Sequence, residues 1–211
     1  MDIICKQWTE EFCVYGYHVE DILYLIKEAY SERAKEGISF ATLNYTIDDF
    51  IASRTDTTYW FLAFDENHIL YGTARLTVED NWGEICNFAV TPQSQGKHVG
   101  AQLLQAANQF AKDHQLDHVM SYTAMKARSS VKCHCKNGFR IVGIGFNLNK
   151  NYSSYVFRNQ LSPSFFWNSV ILVKLRFLFS YIILRMVKKS DGSNTIIGRI
   201  LSFAKKNLRS L

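Results

Sequence analysis

Residues 84–104 constrain the fold more than any other stretch of the chain. A short apolar run ends at Pro92, which is typical of a buried strand that stops before a proline. A polar segment with Gly96 and Gly100 follows, and from Val99 apolar residues recur at the spacing of one helical face. A strand that passes through a glycine-bearing turn into a helix collects free backbone N–H groups at one point. The stretch therefore predicts a binding site for a phosphate-bearing ligand.

The rest of the chain alternates strand and helix patterns around that stretch. The predicted elements are a strand within 1–8, helices at 19–35 and 46–50, strands at 57–64, 69–78 and 84–90, a helix at 99–114, a strand at 118–125, a helix at 127–136, and strands at 139–146 and 152–158. This order predicts an α/β protein of the α+β type. We expect a mixed, mostly antiparallel central sheet flanked by helices, followed by a C-terminal helical tail.

The loop sequence Gln95-Gly96-Lys97-His98-Val99-Gly100-Ala101 resembles the acyl-CoA pyrophosphate loop of the GNAT family of N-acetyltransferases. That loop has the form Gln/Arg-x-x-Gly-x-Gly/Ala. Gln95 and Gly100 match it, and His98 occupies its first glycine position. The preceding Glu-Ile-x-x-Phe-x-Val-x-Pro is similar to the family's fourth strand.

A second segment, residues 127–139, resembles the closing helix of the same family. Lys136, Gly138 and Phe139 match its pattern, whereas His134 stands at a tyrosine position and Ala127 at an asparagine position. The resemblance covers about residues 5–161. It implies an acyl-CoA N-acyltransferase fold for a domain spanning 1–161.

The resemblance also implies that acetyl-CoA is the co-substrate and that an amine attacks it directly. We expect the fourth strand to separate from the fifth at a bulge, which frees backbone groups for the cofactor arm and its carbonyl. The implied cofactor-binding residues are Phe88, Ala89, Val90, Gln95, Gly96, Lys97, His98, Val99, Gly100 and Ala101.

Glu84 is the candidate general base, because acetyl transfer requires a neutral amine and a carboxylate can accept its proton. An ordinary solvated acid at a turn is the alternative interpretation. His134 is the candidate acid, with a histidine packed under the sheet as the alternative. Tyr122 and Tyr152 are reserve acids. Cys86 is interpreted as a core residue, because the sequence places no base beside it.

Tyr30, Arg33 and Tyr59 are the candidate substrate residues, since the family's first two helices and their surroundings line the acceptor side. Aromatic and charged side chains suit a small polar amine. We rank an amino sugar of surface polysaccharide synthesis above a peptide or an antibiotic. The alternative function is a non-catalytic acyl-CoA-binding module whose tail docks a membrane or a protein partner.

Residues 162–211 form a separate basic and apolar tail. They hold nine Lys/Arg and one acid, a charge of +8, while residues 1–161 carry −3. Residues 165–187 are mostly apolar and predict a single helix, but Lys174 and Arg176 near the middle disfavour a membrane span. The shorter basic helix after them suits the surface of an anionic membrane. Docking on the domain and a homodimer contact are the alternatives, and the tail contains no motif that reads nucleic acid.

The five cysteines predict a reducing compartment, because their number is odd and no CxxC pair occurs. Cys133-His134-Cys135 has the wrong spacing for a zinc knuckle and lacks a second ligand pair, so we expect no metal. The N-terminus shows no signal-peptide pattern. We therefore expect a cytoplasmic protein, peripheral at the inner face of the membrane if the tail binds lipid.

Overall fold

In the computed structural model, the described residues are 3–8, 17–35, 37–38, 40–147 and 151–208, without the side chains of 203–208. Some of the predicted features lie outside this description. They are residues 1–2 of the first strand, Cys13, residues 148–150 of the last turn, and the basic side chains Lys205, Lys206 and Arg209.

Seven described strands form one sheet in the order β1-β2-β3-β4-β5-β7-β6. The strands are Ile4–Gln7 (β1), Thr58–Phe64 (β2), Leu70–Glu79 (β3), Trp82–Val90 (β4), His118–Ala124 (β5), Arg140–Gly145 (β6) and Ser154–Gln160 (β7). Every neighbouring pair is antiparallel except β4 and β5, which are parallel. The predicted mixed, mostly antiparallel sheet is confirmed.

The helices lie between the strands in the predicted order, and three more follow the last strand. The helices are Val19–Ala34 (α1), Ile47–Ala52 (α2), Val99–Asp113 (α3), Arg128–Lys136 (α4), Phe165–Asn168 (α5), Val170–Val187 (α6) and Ile196–Leu208 (α7). The predicted bounds of the strands and of the first four helices lie within two residues of the observed ones; β4, for example, begins at Trp82 instead of at residue 84. The prediction of one helix at 165–187 was wrong, because Ser169 interrupts it.

Strand β2 shows how the sheet divides the core into two layers. Its side chains alternate between the faces, so Trp60 and Leu62 pack in a cluster with residues of α1 and α2. Phe61 and Ala63 point the other way, into a cluster with residues of α3. The two helical layers therefore cover opposite faces of the sheet.

Helix α2 begins at a capping box formed by Thr46 and Asp49. The Thr46 hydroxyl accepts a hydrogen bond from the Asp49 backbone N–H at 3.1 Å, and the Asp49 carboxylate accepts one from the Thr46 N–H at 2.8 Å. The completely buried Phe50 then anchors α2 against Trp60, with ring centroids 4.5 Å apart.

The tail packs its longest helix along the edge of the sheet. Helix α6 lies against β6, with Val173, Leu184 and Val187 buried. Docking on the domain, one of the predicted alternatives, thus accounts for one side of α6. Among the described residues, none of the helices combines the length and the apolar character needed to cross a bilayer.

Candidate active site

Strands β4 and β5 separate after four paired residues. The parallel register runs from Trp82 opposite His118 to Ile85 opposite Ser121 and goes no further. On the other side of β4, the register with β3 slips beyond Cys86. Asn87 has a positive φ of 46°, as expected where a bulge turns the strand. The predicted bulge is therefore present, and a gap opens in the sheet beside it.

The loop after β4 presents the start of helix α3 to solvent. Gly96 has a φ of 85° and His98 a φ of 64°, both in the left-handed region. No His98 side-chain hydrogen bond caps the helix. The first N–H groups of α3 consequently have no partner within the helix and can bind an anion. His98 adopts the conformation that a glycine at this motif position would adopt without strain.

Gly100 allows α3 to lie close to β4 and α4. A Cβ at this position would lie 3.0 Å from the Phe88 ring and 3.3 Å from the Cys133 sulfur. The second position of the loop motif therefore favours glycine in this chain on steric grounds, because a larger residue would push against the ring of Phe88.

A cleft of about 560 Å³, the α3–α4 cleft, opens in front of these N–H groups. Eight of the ten predicted cofactor-binding residues line it: Phe88, Val90, Gln95, Gly96, His98, Val99, Gly100 and Ala101. Lys97 is exposed outside the lining. The Ala89 side chain is completely buried among the residues that pack on α1, so only its backbone belongs to the gap edge of β4.

A second cleft of about 360 Å³, the β4–β5 cleft, occupies the gap between the strands. Its lining includes Tyr30, Phe40, Tyr45, Glu84, Cys86, Asn87, Tyr122 and Tyr152. Arg33, Phe88 and Ser130 line both clefts. The two clefts therefore meet at the bulge, one lined by the free helix N-terminus and the other by a carboxylate.

Glu84 lies in the β4–β5 cleft, as a base would have to. Its nearest polar neighbour along the strand is Cys86, whose thiol donates a hydrogen bond to Glu84 Oε1 at 3.4 Å. Burial, followed by the Glu84 charge, raises the pKa of Cys86 to about 11. The interpretation of Cys86 as a core residue was wrong, because its thiol lines the cleft. It remains protonated there and is a poor nucleophile.

The reserve acids Tyr122 and Tyr152 both line the β4–β5 cleft. Burial, followed by the charge of Glu84, raises the pKa of Tyr122. The phenol of Tyr122 thus keeps its proton near neutral pH and is able to donate it.

His134 does not reach either cleft surface, contrary to its assignment as the acid. It is completely buried, and its ring packs among Phe88, Phe139 and Phe157. Nδ1 donates to the Ser130 carbonyl at 2.8 Å, and Nε2 lies 2.9 Å from the Ser121 hydroxyl. Burial lowers the pKa of His134 to about 4, so the ring is neutral and its Nε2 accepts a hydrogen bond from the Ser121 hydroxyl. The histidine is a packing and hydrogen-bonding group beneath the site.

The substrate predictions for α1 and β2 had different outcomes. Tyr30 and Arg33 line the β4–β5 cleft. Burial raises the pKa of Tyr30 to about 12, and its ring stands edge-on to Phe40 at 4.8 Å. Tyr59 does not belong to the site, because its ring packs on Phe110 of α3 at 4.3 Å. The prediction for Tyr59 was wrong because the side chain points to the opposite face of the sheet.

Two features of the cleft were not predicted. Asn87 is 9% exposed at the bulge, and its Nδ2 has no hydrogen-bond partner within the described part of the chain. Ser121, Thr123 and Ser130 place hydroxyl groups under the gap, with 3.4 Å between the Thr123 and Ser130 oxygens. The only sequence signal was the two-residue spacing of Ser121 and Thr123 on a strand, which is also common at ordinary polar positions.

Metal ligands are not assembled at this site. No group of three His, Cys, Asp or Glu side chains able to hold an ion occurs in the described ranges. Cys133 is half-buried and Cys135 is exposed.

The sequence of this chain matches a known family across the site. A model of the family described as "Acetyltransferase (GNAT) family" matches residues 19–139, more than half of the chain. The chain belongs to the GNAT family. The match includes the loop at the start of α3 and the whole lining of the α3–α4 cleft, while the β4–β5 cleft also uses Tyr152 beyond it. It confirms the resemblance found in the motifs. The GNAT protein is accordingly an N-acetyltransferase, as predicted, and its fold is one that uses acetyl-CoA.

Solved structures support the same fold. The ribosomal-protein-S18-alanine N-acetyltransferase from Escherichia coli is similar with a TM-score of 0.61 and 11% identity, over 77% of this chain and 96% of that chain. The PaiA N-acetyltransferase from Thermoplasma acidophilum, in complex with coenzyme A, has a TM-score of 0.60 and 17% identity, over 76% and 100%. No curated protein matches the sequence significantly. The acyl-CoA N-acyltransferase fold is confirmed.

Proposed function

We propose that this GNAT protein transfers the acetyl group of acetyl-CoA to the primary amine of a small polar acceptor, with Glu84 as the general base. The observation that carries the proposal is the junction of the two clefts at Arg33, Phe88 and Ser130. It joins a free helix N-terminus to a cleft that contains a carboxylate. An anionic cofactor and an amine could meet there.

The residues of the α3–α4 cleft fit acetyl-CoA. The free N–H groups at the start of α3 suit its pyrophosphate, and Gly96 and Gly100 keep side chains away from it. The edge of β4 beyond Ile85 forms no ladder with β5, so its backbone is available to the pantetheine arm. When bound, acetyl-CoA supplies a thioester whose carbonyl is open to attack by an amine.

Glu84 would take the proton of the incoming ammonium group, directly or through a water molecule, and so release its lone pair. Backbone N–H groups near Phe88–Val90 and the Asn87 amide are donors suited to the carbonyl oxygen as negative charge develops on it. Tyr122 would hold the proton needed by the leaving sulfur. His134, neutral and enclosed, would orient Ser121 rather than exchange protons with the substrate.

For the acceptor, we propose an amino sugar of surface polysaccharide synthesis. The support is the chemistry of the β4–β5 cleft, where the rings of Tyr30, Phe40 and Tyr152 form a continuous aromatic wall. Aromatic faces stack on the apolar side of a sugar ring, and the hydroxyls of Ser121, Thr123 and Ser130 suit its polar edges. A volume of about 360 Å³ fits a small acceptor.

Replacement of the proposed base tests the catalytic assignment. We expect Glu84→Gln to lower kcat by roughly 10²- to 10⁴-fold, because the amine would lose its proton acceptor. Affinity for acetyl-CoA should stay unchanged. The matched control is Glu79→Gln, which removes the same charge from an exposed position on β3. Undiminished turnover in Glu84→Gln would show that another group is the base.

The acceptor is tested by measuring thiol release with a panel of amines. The panel contains a nucleotide-linked amino sugar, a free amino sugar, a polyamine and a peptide that begins with alanine. The peptide represents the acceptor named for the Escherichia coli structure. We expect the highest kcat/KM with one of the two sugars, and a clear preference for the peptide or the polyamine would contradict this.

A further inference from the structure

Helix α6 exposes an apolar stripe on the side that faces away from the sheet. At about 100° per residue, the side opposite Val173 and Leu184 carries six large apolar residues. They are Ile171, Leu175, Leu178, Phe179, Ile182 and Met186, each between 51% and 72% exposed. We call this surface the α6 stripe. Surface helices of soluble proteins place polar residues on this side, so the stripe requires a partner.

Helix α7 adds a second exposed apolar patch next to the C-terminal end of α6. Gly198 permits this packing, because a Cβ there would collide with the Val187 carbonyl oxygen. The exposed apolar residues of α7 are Ile196, Ile197, Ile200 and Leu201.

Basic side chains flank the α6 stripe. Lys174 and Arg185 lie along one border and Arg176 along the other, and all three are exposed. Arg199 is exposed on α7. In the whole of residues 162–211 there are nine Lys/Arg and a single acid. The stripe is therefore an apolar surface bordered by positive charge.

The charge distribution decides between two kinds of occupant. A twofold contact between two copies of the chain would place the same basic borders close together, with almost no acid in the tail to pair with them. An anionic lipid surface supplies negative headgroups at the borders and hydrocarbon under the stripe. The charges at Lys174 and Arg176 also favour a helix that lies in the interface over one that spans it.

We propose that the α6 stripe and the apolar patch of α7 bind the surface of an anionic phospholipid bilayer, with α6 lying in the plane of the interface. The inner side of α6 stays packed on β6, so the catalytic domain is held directly against the membrane. The proposal rests on the tail alone and stands whether or not the acceptor is an amino sugar.

Vesicle flotation of the full chain tests this surface. The vesicles contain either phosphatidylcholine alone or equal parts of phosphatidylcholine and phosphatidylglycerol. We expect the protein to float with the anionic vesicles, to float far less with the neutral ones, and to dissociate as salt is raised. A folded full chain that stays at the bottom with both vesicle types would overturn the proposal.

Two sets of variants separate the apolar and the electrostatic contributions. Leu175→Glu with Leu178→Glu charges the stripe, and Ile51→Glu is the matched control because Ile51 of α2 is similarly exposed. Lys174→Glu with Arg185→Glu reverses one border, and Lys112→Glu on α3 is its control. We expect each double variant to reduce partitioning by about tenfold or more and each control to leave it within about twofold.

The remaining occupant, a second copy of the chain, is distinguished by sedimentation without lipid. We expect the full chain and the Leu175→Glu, Leu178→Glu variant to sediment alike. A dimer that this variant converts to a monomer would assign the stripe to a subunit interface and overturn the membrane proposal. The variant positions are exposed, so thermal midpoints close to that of the parent chain should confirm that the variants fold.

Discussion

Helices α3 and α6 both pack one side against the sheet, but the sides that they expose to solvent differ in character. The inner side of α3 is buried through Leu103, Leu104 and Ala107, and its outer side presents polar residues such as Gln105 and Gln109. The inner side of α6 is also buried, but its outer side is the apolar stripe. Water solvates the polar outer side of α3 well, whereas exposure of the apolar outer side of α6 to water is unfavourable. This difference is what we expect if α3 serves the reaction and α6 binds a surface, as we propose.

Truncation of side chains on the inner and outer sides of α3 and α6 should change stability by very different amounts. We expect Leu104→Ala to lower the free energy of unfolding by about 3–5 kcal/mol and Leu184→Ala by about 2–3 kcal/mol, because both leave cavities. Leu178→Ala and Gln109→Ala, on the outer sides, should change it by about 0.5 kcal/mol or less. Chemical denaturation of the four variants measures the differences.

A loss of stability in Leu178→Ala equal to that in Leu184→Ala would contradict the difference between the two sides of α6. It would mean that the α6 stripe is already packed in solution without lipid.

A pH series on His134→Gln tests the enclosed histidine beneath the site. Burial lowers the pKa of His134 from its usual 6.5 to about 4. Its unfolded form therefore binds a proton at a higher pH than its folded form does. The stabilisation of the folded state by the neutral His134 ring is therefore fully present above about pH 6.5, and it is lost as the pH falls towards about 4. We expect the variant to be less stable by about 1–3 kcal/mol at neutral pH and to lose less on acidification than the parent chain.

Thermal midpoints between neutral pH and pH 4.5 give this result, with the exposed His114→Gln as the control. Midpoint curves of parent and His134→Gln that stay parallel over the whole range would contradict the neutral, buried state. A pH–rate profile of His134→Gln that differs in shape from that of the parent chain would show that His134 exchanges protons with the substrate.

A gain in stability is expected from a substitution in the loop before α3. His98 adopts a left-handed conformation, with a φ of 64°, that costs a residue with a side chain more than it costs glycine. We expect His98→Gly to raise the free energy of unfolding by about 0.5–1 kcal/mol. Gln109→Gly, at a helical position of α3, should lower it by about 1 kcal/mol. A loss of stability in His98→Gly would show that the imidazole makes a stabilising contact.

Local sequence patterns predicted the helices, the strands and the loop at the start of α3. They could do so because strand alternation, helix spacing and glycine positions depend only on residues close together in the sequence. They could not predict which side of an element faces which layer. Tyr59 and Phe61 share a face by spacing, but only the packing of β2 shows that this face belongs to α3. The separation of β4 from β5 was expected from the family motif, whereas periodicity alone gave no sign of it.

His134 and the α6 stripe show the same limit in other ways. A single histidine on a short helix has no sequence signal for burial, and its enclosure depends on Phe88 and Phe157 from distant segments as well as on the nearby Phe139. Helix α6 is apolar on both sides, so its periodicity does not reveal an inner side. Only the contact with β6 identifies Val173 and Leu184 as inner and leaves the stripe outside.

The proposed function requires that the free N-terminus of α3 bind acetyl-CoA at the junction of the two clefts. The most direct measurement is a thermal-shift titration with acetyl-CoA of the parent chain, Gly100→Glu and Ala101→Glu. Gln109→Glu, further along α3, is the control for the added charge. Ala101→Glu brings the same charge as Gly100→Glu without the close contact at Phe88.

At about a hundred times its dissociation constant, the cofactor should stabilise the parent chain by about 2.7 kcal/mol. A saturable rise in midpoint for the parent and Gln109→Glu, absent in Gly100→Glu and Ala101→Glu, is the predicted result. A parent chain that shows no shift, or glutamate variants of the loop that shift as much as the parent, would contradict the claim.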